Sequence, residues 1–227
     1  MLQSVIFDLD GLLIDSEIVA YRIYCDILRP YGYDFSLAHY AEKYSGRPVL
    51  RNMTDVIEEY GLPISVTEGL RLASEIDGEY IRRGIPLKKG ALELLSFLKE
   101  RGCLISLATS SLEERALTIL KQNHVVEYFN MFTYAPEVTN GKPAPDIFLK
   151  ALSKTGIAAE DTLIMEDSEA GVQAAAAAHI PVVCVPDMVR PSNETLQKTV
   201  GVFDSLLQVK EWIEKECYII KKQSTFR

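Results

Sequence analysis

The chain has 227 residues, more than one typical domain and fewer than two full ones, which suits a core domain carrying a smaller inserted lobe. Apolar residues make up 48% and charged residues 25%, so a proper core can be buried without staples. The net charge of −8 argues against nucleic acid as a partner, because an acidic surface repels a polyanion unless a local basic patch intervenes.

The closest to such a patch, Lys221-Lys222 with Arg227, reads as a solvated, frayed terminus. The four cysteines, Cys25, Cys103, Cys184 and Cys217, form no CxxC pair, so neither a zinc knuckle nor a thioredoxin-like motif is expected. Cys103 and Cys184 stand in apolar runs and read as small core residues in a reducing compartment. The opening MLQSVIFDLDG lacks a basic n-region and is not expected to be a signal peptide. No apolar run approaches the ~20 residues of a membrane span. A cytoplasmic protein with no membrane partner is expected.

In chain order, residues 4–9 form the first short apolar, β-branched run, which has the length of a buried strand. No convincing strand follows between Ile14 and Pro86, only helical patterning punctuated by Pro30, Gly32, Gly46, Pro48, Gly61 and Pro63. An α-helical insertion at 16–84, hinged near 14–17 and 84–87, explains the gap. A helix at 91–100, apolar at Leu92, Leu94, Leu95 and Leu98, ends before Gly102 as a C-cap. A strand at 103–108 precedes a helix at 112–123, whose start is offered N-cap hydroxyls by Ser110 and Ser111. Further strands are expected at 131–135, 162–165 and 182–185, with helices at 146–155 and at the alanine-rich 170–178. The segment after Trp212 reads as a last helix and a loose end. Strands alternating with helices predict an α/β fold, a Rossmann-like parallel sheet covered on both faces. The core then comprises 1–15 and 85–216, and a tail occupies 217–227.

The chemistry gathers where strands end. Asp8 and Asp10, two apart on an extended strand, point to one face. Like charges that close are unfavourable unless a cation or a shared proton neutralises them. The plain alternative is a surface turn with capping aspartates. A calcium loop is rejected, since the glycine comes too early and Val19 stands where its final glutamate belongs. Glu166-Asp167 ends another strand, just before Ser168 opens a helix that Asp167 and Ser168 could merely cap. Parallel sheets collect their carboxyl ends along one edge, so two acidic pairs there make a hard-oxygen cluster suited to Mg2+. Thr109, Ser110 and Ser111 put hydroxyls and helix-start N–H groups at a third strand end, where an anion is favoured. Lys142 stands in the rigid loop GKPAPD before a helix; Pro143 and the missing upstream glycine rule out a Walker loop.

Taken in order, DLDGLLIDSE, LATSS, GKPAPD and MEDSEAG resemble the four motifs of the haloacid dehalogenase superfamily, in the branch with β-phosphoglucomutase and the small sugar-phosphate phosphatases. The resemblance covers the whole core, and the helical insertion is similar to that family's cap. It implies that Asp8 attacks phosphorus in line and that Asp10 protonates the leaving oxygen, then activates water. It implies that Asp8, the Asp10 backbone carbonyl, Glu166 and Asp167 hold Mg2+, and that Thr109, the Ser110 backbone and Lys142 bind the phosphoryl oxygens. A Mg2+-dependent phosphatase of small phosphorylated metabolites, sugar phosphates foremost, acting as a monomer, is the reading that results.

Three alternatives differ in their residues. β-Phosphoglucomutase carries a histidine early in the cap and a Lys-Asn pair after the second motif, where this chain has Ala20 and Leu112-Glu113; His39, His124 and His179 lie elsewhere. A dehalogenase has no use for Asp10 or the second acidic pair. A non-catalytic binding protein on this fold would be marked by loss of Asp8 or Asp10, and both are present. Substrate choice is expected in the cap, where Arg47 in Ser45-Gly46-Arg47-Pro48 either meets a second polar group of the substrate or pairs on the surface, as does Arg51. Tyr21, Tyr24, Tyr31, Tyr33, Tyr40 and Tyr44 read as packing of a small lobe ahead of sugar stacking. Ser16 and Glu17, assigned to the hinge, are expected to tolerate change.

Overall fold

The structure, a computed structural model, describes the backbone of residues 2–224 and side chains through residue 215, so the side chains of Cys217, Lys221, Lys222 and Arg227 lie outside the described residues. Among those described, six strands form one parallel sheet: β1 (Ser4–Phe7), β2 (Leu104–Thr109), β3 (Met131–Tyr134), β4 (Thr162–Glu166), β5 (Val182–Cys184) and β6 (Gly201–Val202). Their spatial order is β3-β2-β1-β4-β5-β6. β1 is central, with Phe7 aligned to Leu107 on one side and Met165 on the other.

The period of two along each strand sorts side chains between two cores. Val5, Phe7, Leu107, Met165 and Val183 face one layer, and Ile6, Ala108, Ile164, Val182 and Cys184 face the other. Both faces are covered, which is why the strands are apolar throughout rather than alternating. The first layer holds α5 (Ala91–Glu100), α6 (Glu113–Gln122) and α10 (Leu206–Ser224), through Leu94, Leu98, Ile119, Val209 and Ile213. The second holds α7 (Asp146–Thr155) and α8 (Glu169–Ala177), through Phe148, Ala151, Val172 and Ala175. Alanines let α8 lie close to the sheet. Gly102 takes the left-handed conformation after α5, as a C-terminal glycine should. β6, only two residues long, and the short helix α9 (Asn193–Leu196) were too brief to leave a pattern in the sequence.

The segment between β1 and β2 contains no strand of the sheet. It carries α1 (Ser16–Leu28), α2 (Leu37–Lys43), α3 (Val49–Tyr60) and α4 (Val66–Arg83). The two chain crossings that join it to the sheet run side by side. Asp15 N–H donates to the Pro86 carbonyl at 3.1 Å and Lys88 N–H to that of Leu13 at 2.8 Å. Tyr24, Phe35, Tyr40 and Tyr44 form its aromatic centre, with ring centroids 5.5–6.3 Å apart for the pairs of Tyr24 and Tyr44 with Phe35 and for Tyr24 with Tyr40 and Tyr44. These rings are buried, out of a ligand's reach; Tyr31 and Tyr33 are exposed, and Tyr33 packs edge-on against Tyr60.

Two hydroxyls at that centre find carboxylates. Tyr40 donates to Glu17 at 3.0 Å, and Tyr44 to Glu59 at 2.5 Å. Glu17 also accepts from Ser45, and buried Ser16 accepts from Gly11 N–H at 3.0 Å. These ties correct the expectation that Ser16 and Glu17 are tolerant: each satisfies a donor that would otherwise be stranded. Burial pushes the Glu59 carboxyl up, but donors from Lys43, Tyr44 and His39 outweigh it and hold the group at about 2. A folded value below the ordinary 4.5 contributes stability that is present above that pH and lost as pH falls toward 2. Thermal unfolding as a function of pH should therefore fall less steeply in Glu59→Gln than in the parent over that window. Parallel curves would show that Glu59 is not the titrating group.

Candidate active site

The site lies at the carboxyl ends of β1, β2 and β4. Because β1 and β4 are neighbours in register, Asp8, the residue after β1, lands beside Glu166, the last of β4; Asp8 N–H donates to the Met165 carbonyl at 3.1 Å. Lys142, 134 residues further along the chain than Asp8, places its Nζ 2.5 Å from Asp8 Oδ1 and 2.5 Å from Glu166 Oε1. Its ammonium lies over the ring of Phe148 in α7, 4.9 Å from the centroid. Thr109 is buried at the end of β2 and its hydroxyl accepts from Ser111 N–H at 3.0 Å, while Ser110 is exposed. Asp8, Glu166, Lys142 and Asp167 thus converge, flanked by Asp10 and Thr109.

Two glycines make the convergence possible. A Cβ at Gly171 would overlap the Glu166 carboxylate, which sits against the start of α8. There Glu166 Oε2 accepts from Asp167 N–H at 2.9 Å, Ser168 N–H at 3.1 Å and the Ser168 hydroxyl at 3.0 Å. This is the anion-favouring end of a helix. Gly11 has φ +80°, and a Cβ there would meet the carboxylates of Asp167 and Asp187. Ser168 also caps α8 by accepting from Gly171 N–H at 3.0 Å.

The expected capping of α6 by Ser110 or Ser111 is not what the chain does. Leu112 is the N-cap and supplies no side-chain bond. The Ser111 hydroxyl instead donates to Asp10 Oδ2 at 2.7 Å, and Arg115 Nη1 donates to Asp10 Oδ1 at 2.8 Å. The Ser111 oxygen accepts from the charged donor Arg115 Nη1 at 2.8 Å rather than from a helix-start N–H. Arg47 does not extend toward this centre; it pairs with Asp55 at 2.5 Å and with the Lys43 carbonyl, and Arg51 shares Asp55 at 3.4 Å.

Electrostatics divides the carboxylates into two kinds. Burial would raise Glu166, but the Lys142 charge and the Ser168 donors hold it below the ordinary glutamate range. Burial would raise Asp10 too, and Arg115 and Ser111 reverse that. Asp8 goes the other way, to about 7, because burial and the charges of Glu166 and Asp10 outweigh Lys142. Asp167 is pushed well above its usual range by burial, then by Glu166, Asp8 and Asp187. Asp187 is raised by burial despite its ion pair with Lys88, and its Oδ2 is buried with no hydrogen-bond partner.

Buried oxygen charge therefore exceeds the positive charge set against it, and one acceptor is orphaned. Such a donor set suits a hard divalent cation. Among the described residues the acids do not close into a ready cage, since the Lys142 ammonium stands between Asp8 and Glu166. Asp8 and Asp167 are the two carboxylates whose charge is least compensated. Arg115, Asp187 and Lys88 were missed by sequence reasoning; nothing local marks them, because each meets its partner from a distant part of the chain.

The chain matches the haloacid dehalogenase-like hydrolase family over residues 5–185. It is 37% identical over 216 residues to a probable pseudouridine-5'-phosphatase of Drosophila melanogaster, covering 90% of each chain. A phosphorylated carbohydrates phosphatase of Thermotoga maritima is 30% identical over 79% of this chain and 82% of its own. The crystal structure of a β-phosphoglucomutase from Clostridium difficile superposes with a TM-score of 0.73 at 25% identity, covering 97% of this chain and all of that one.

An uncompensated buried carboxylate costs stability, and the sign follows from its pKa. With the folded value of Asp167 raised, ionisation at neutral pH favours the unfolded chain. Asp167→Asn should therefore raise the melting temperature at pH 7 in the presence of a chelator, by about 2–4 °C for each kcal/mol relieved in a chain of this size. A lowered melting temperature would show that Asp167 is stabilised by contacts rather than strained by charge.

Proposed function

The chain belongs to the haloacid dehalogenase-like hydrolases, and we propose that it is a Mg2+-dependent phosphatase of small phosphorylated metabolites, working through an aspartyl-phosphate on Asp8. It is an enzyme of the phosphoric monoester hydrolase class, as its named relatives are. The observation that carries the mechanism is the pair of contacts from Lys142 to Asp8 and Glu166, at the sheet edge that also bears Asp10.

In the first step an Asp8 oxygen attacks phosphorus in line and the ester P–O bond breaks. Asp10, which must first bind a proton against the pull of Arg115 and Ser111, gives it to the leaving alkoxide, which departs as an alcohol. In the second step Asp10 removes a proton from water, the oxygen attacks the same phosphorus, and inorganic phosphate leaves with Asp8 restored. Thr109, the Ser110 backbone and Lys142 would face the transferring oxygens, which carry the charge that the site must balance. Asp8, the Asp10 carbonyl, Glu166 and Asp167 would hold Mg2+, which supplies charge neutralisation and polarises the phosphoryl group. Glu166 would also fix Lys142, whose ammonium lies 2.5 Å from its Oε1. Burial pushes the Asp8 carboxyl up to about 7, and Mg2+ beside it would favour the ionised form that attacks phosphorus.

The core of 1–15 and 85–216 would carry the chemistry and the helical segment of 16–84 would act as a cap that selects the leaving group. For Arg47 to meet a substrate it would have to leave Asp55, and the pair it makes supports a packing role. A phosphohexomutase reading lacks its residues: Ala20 lies on α1, and Leu112 and Glu113 at the start of α6 are exposed and supply no cation.

Phosphate release from phosphorylated sugars, nucleotides and polyols with Mg2+, run beside glucose 6-phosphate formation from β-glucose 1-phosphate, tests the choice. Steady phosphate release from some of them is expected, abolished by chelation. Isomer conversion without net phosphate release would make the chain a mutase. Asp8→Asn should abolish turnover while the fold persists by circular dichroism; a rate within tenfold of the parent would remove Asp8 as nucleophile.

A further inference from the structure

One side chain in contact with Asp10 has no part in the two steps above. Arg115, in the first turn of α6, donates from Nη1 to Asp10 Oδ1 and to the Ser111 hydroxyl, both at 2.8 Å. From the other edge of the guanidinium, Nε donates to Asp77 Oδ2 at 3.0 Å. Asp77 belongs to α4, in the helical segment, whereas Asp10 and Arg115 belong to the core. The far end of α6 is tied to the same segment's exit, since Asn123 Nδ2 donates to the Ile85 carbonyl at 2.9 Å.

The guanidinium is planar and its donors hold fixed directions, so the edge facing Asp77 and the edge facing Asp10 turn together. Ser111 holds Oδ2 of Asp10 while Arg115 holds Oδ1, so the direction of that carboxylate is fully determined by these two donors. The three ionic side chains are 23–34% exposed, shielded enough for the geometry to be held and open enough for the helical segment to move. We propose that Arg115 is a positioning residue through which α4 sets the direction of the Asp10 carboxylate, so that the position of the helical segment and the readiness of the acid/base are one variable. The inference rests on the phosphatase reading and adds a residue and a coupling to it.

The test separates proton delivery from everything else. Loss of p-nitrophenolate needs no proton from the enzyme, whereas loss of an alkoxide does, and kcat/KM reports the steps through cleavage of the ester bond. Arg115→Met should lower the ratio of kcat/KM for an alkyl phosphate to that for p-nitrophenyl phosphate by about tenfold or more, a fraction of the 10²–10⁴ that a positioned acid contributes. Arg115→Lys should recover part of it. Asp77→Asn, a conservative change at a partly exposed site that the fold should bear, should shift the ratio the same way by less. The double variant should be no worse than Arg115→Met alone, because Asp77 acts through Arg115. Equal slowing of both esters in Arg115→Met, or additive losses in the double variant, would overturn the coupling while leaving the phosphatase intact. If the parent hydrolyses neither ester, the phosphatase reading itself fails, and this inference with it.

Discussion

The ammonium of Lys142, 2.5 Å from both Asp8 and Glu166, is the contact on which the rest of the site depends. Parallel strands in register bring the residues after β1 and at the end of β4 side by side, and in this chain both are acids. Two buried carboxylates at that spacing repel strongly, and each pays for its lost hydration as well. A cation between them relieves both, and it arrives on a loop over a hundred residues from β1 and directly before α7. The loop, the two strand ends and the start of α8 are thereby locked into one arrangement, with Gly171 leaving the room that Glu166 needs.

That lock is incomplete, and the remainder is informative. Their donors hold Glu166 and Asp10 below the ordinary carboxylate range, whereas Asp8, Asp167 and Asp187 are raised. Proteins hold such strain where chemistry requires it, and the rest of the fold must carry the cost. Here the two apolar layers on the sheet and the aromatic centre of the helical segment carry it. The chain crossings at 13–15 and 86–88 join those two bodies by backbone hydrogen bonds, and Lys88 on the second crossing reaches Asp187 beside the acidic cluster.

Much of this was legible from the residues. Short apolar runs found five of the strands to within about two residues, because strands buried on both faces have little freedom in composition. The carboxylates at strand ends and the lone lysine of GKPAPD were legible because parallel topology sends strand ends to one edge, so local position implied spatial proximity. Ser111 was legible as a hydroxyl at the right place but not in its partner, since capping and pairing with Asp10 look alike in sequence. Arg115 with Asp77 and Lys88 with Asp187 were not legible at all. The first pair depends on how the helical segment packs on the core and the second on where the returning chain crossing passes the end of β5. An arginine or lysine on an amphipathic helix or linker is ordinarily a solvated residue.

Asp8 would carry the phosphoryl group during turnover. This is tested most directly by acid-quenching the enzyme with Mg2+ and a substrate it hydrolyses, then mapping the covalent phosphate by mass spectrometry of its peptides. One phosphoryl group on the peptide containing Asp8, absent when Mg2+ is chelated, is the expected result. Turnover at full rate with the phosphoryl group on another residue, or with direct transfer to water proven by inversion at a chiral phosphorus, would contradict it.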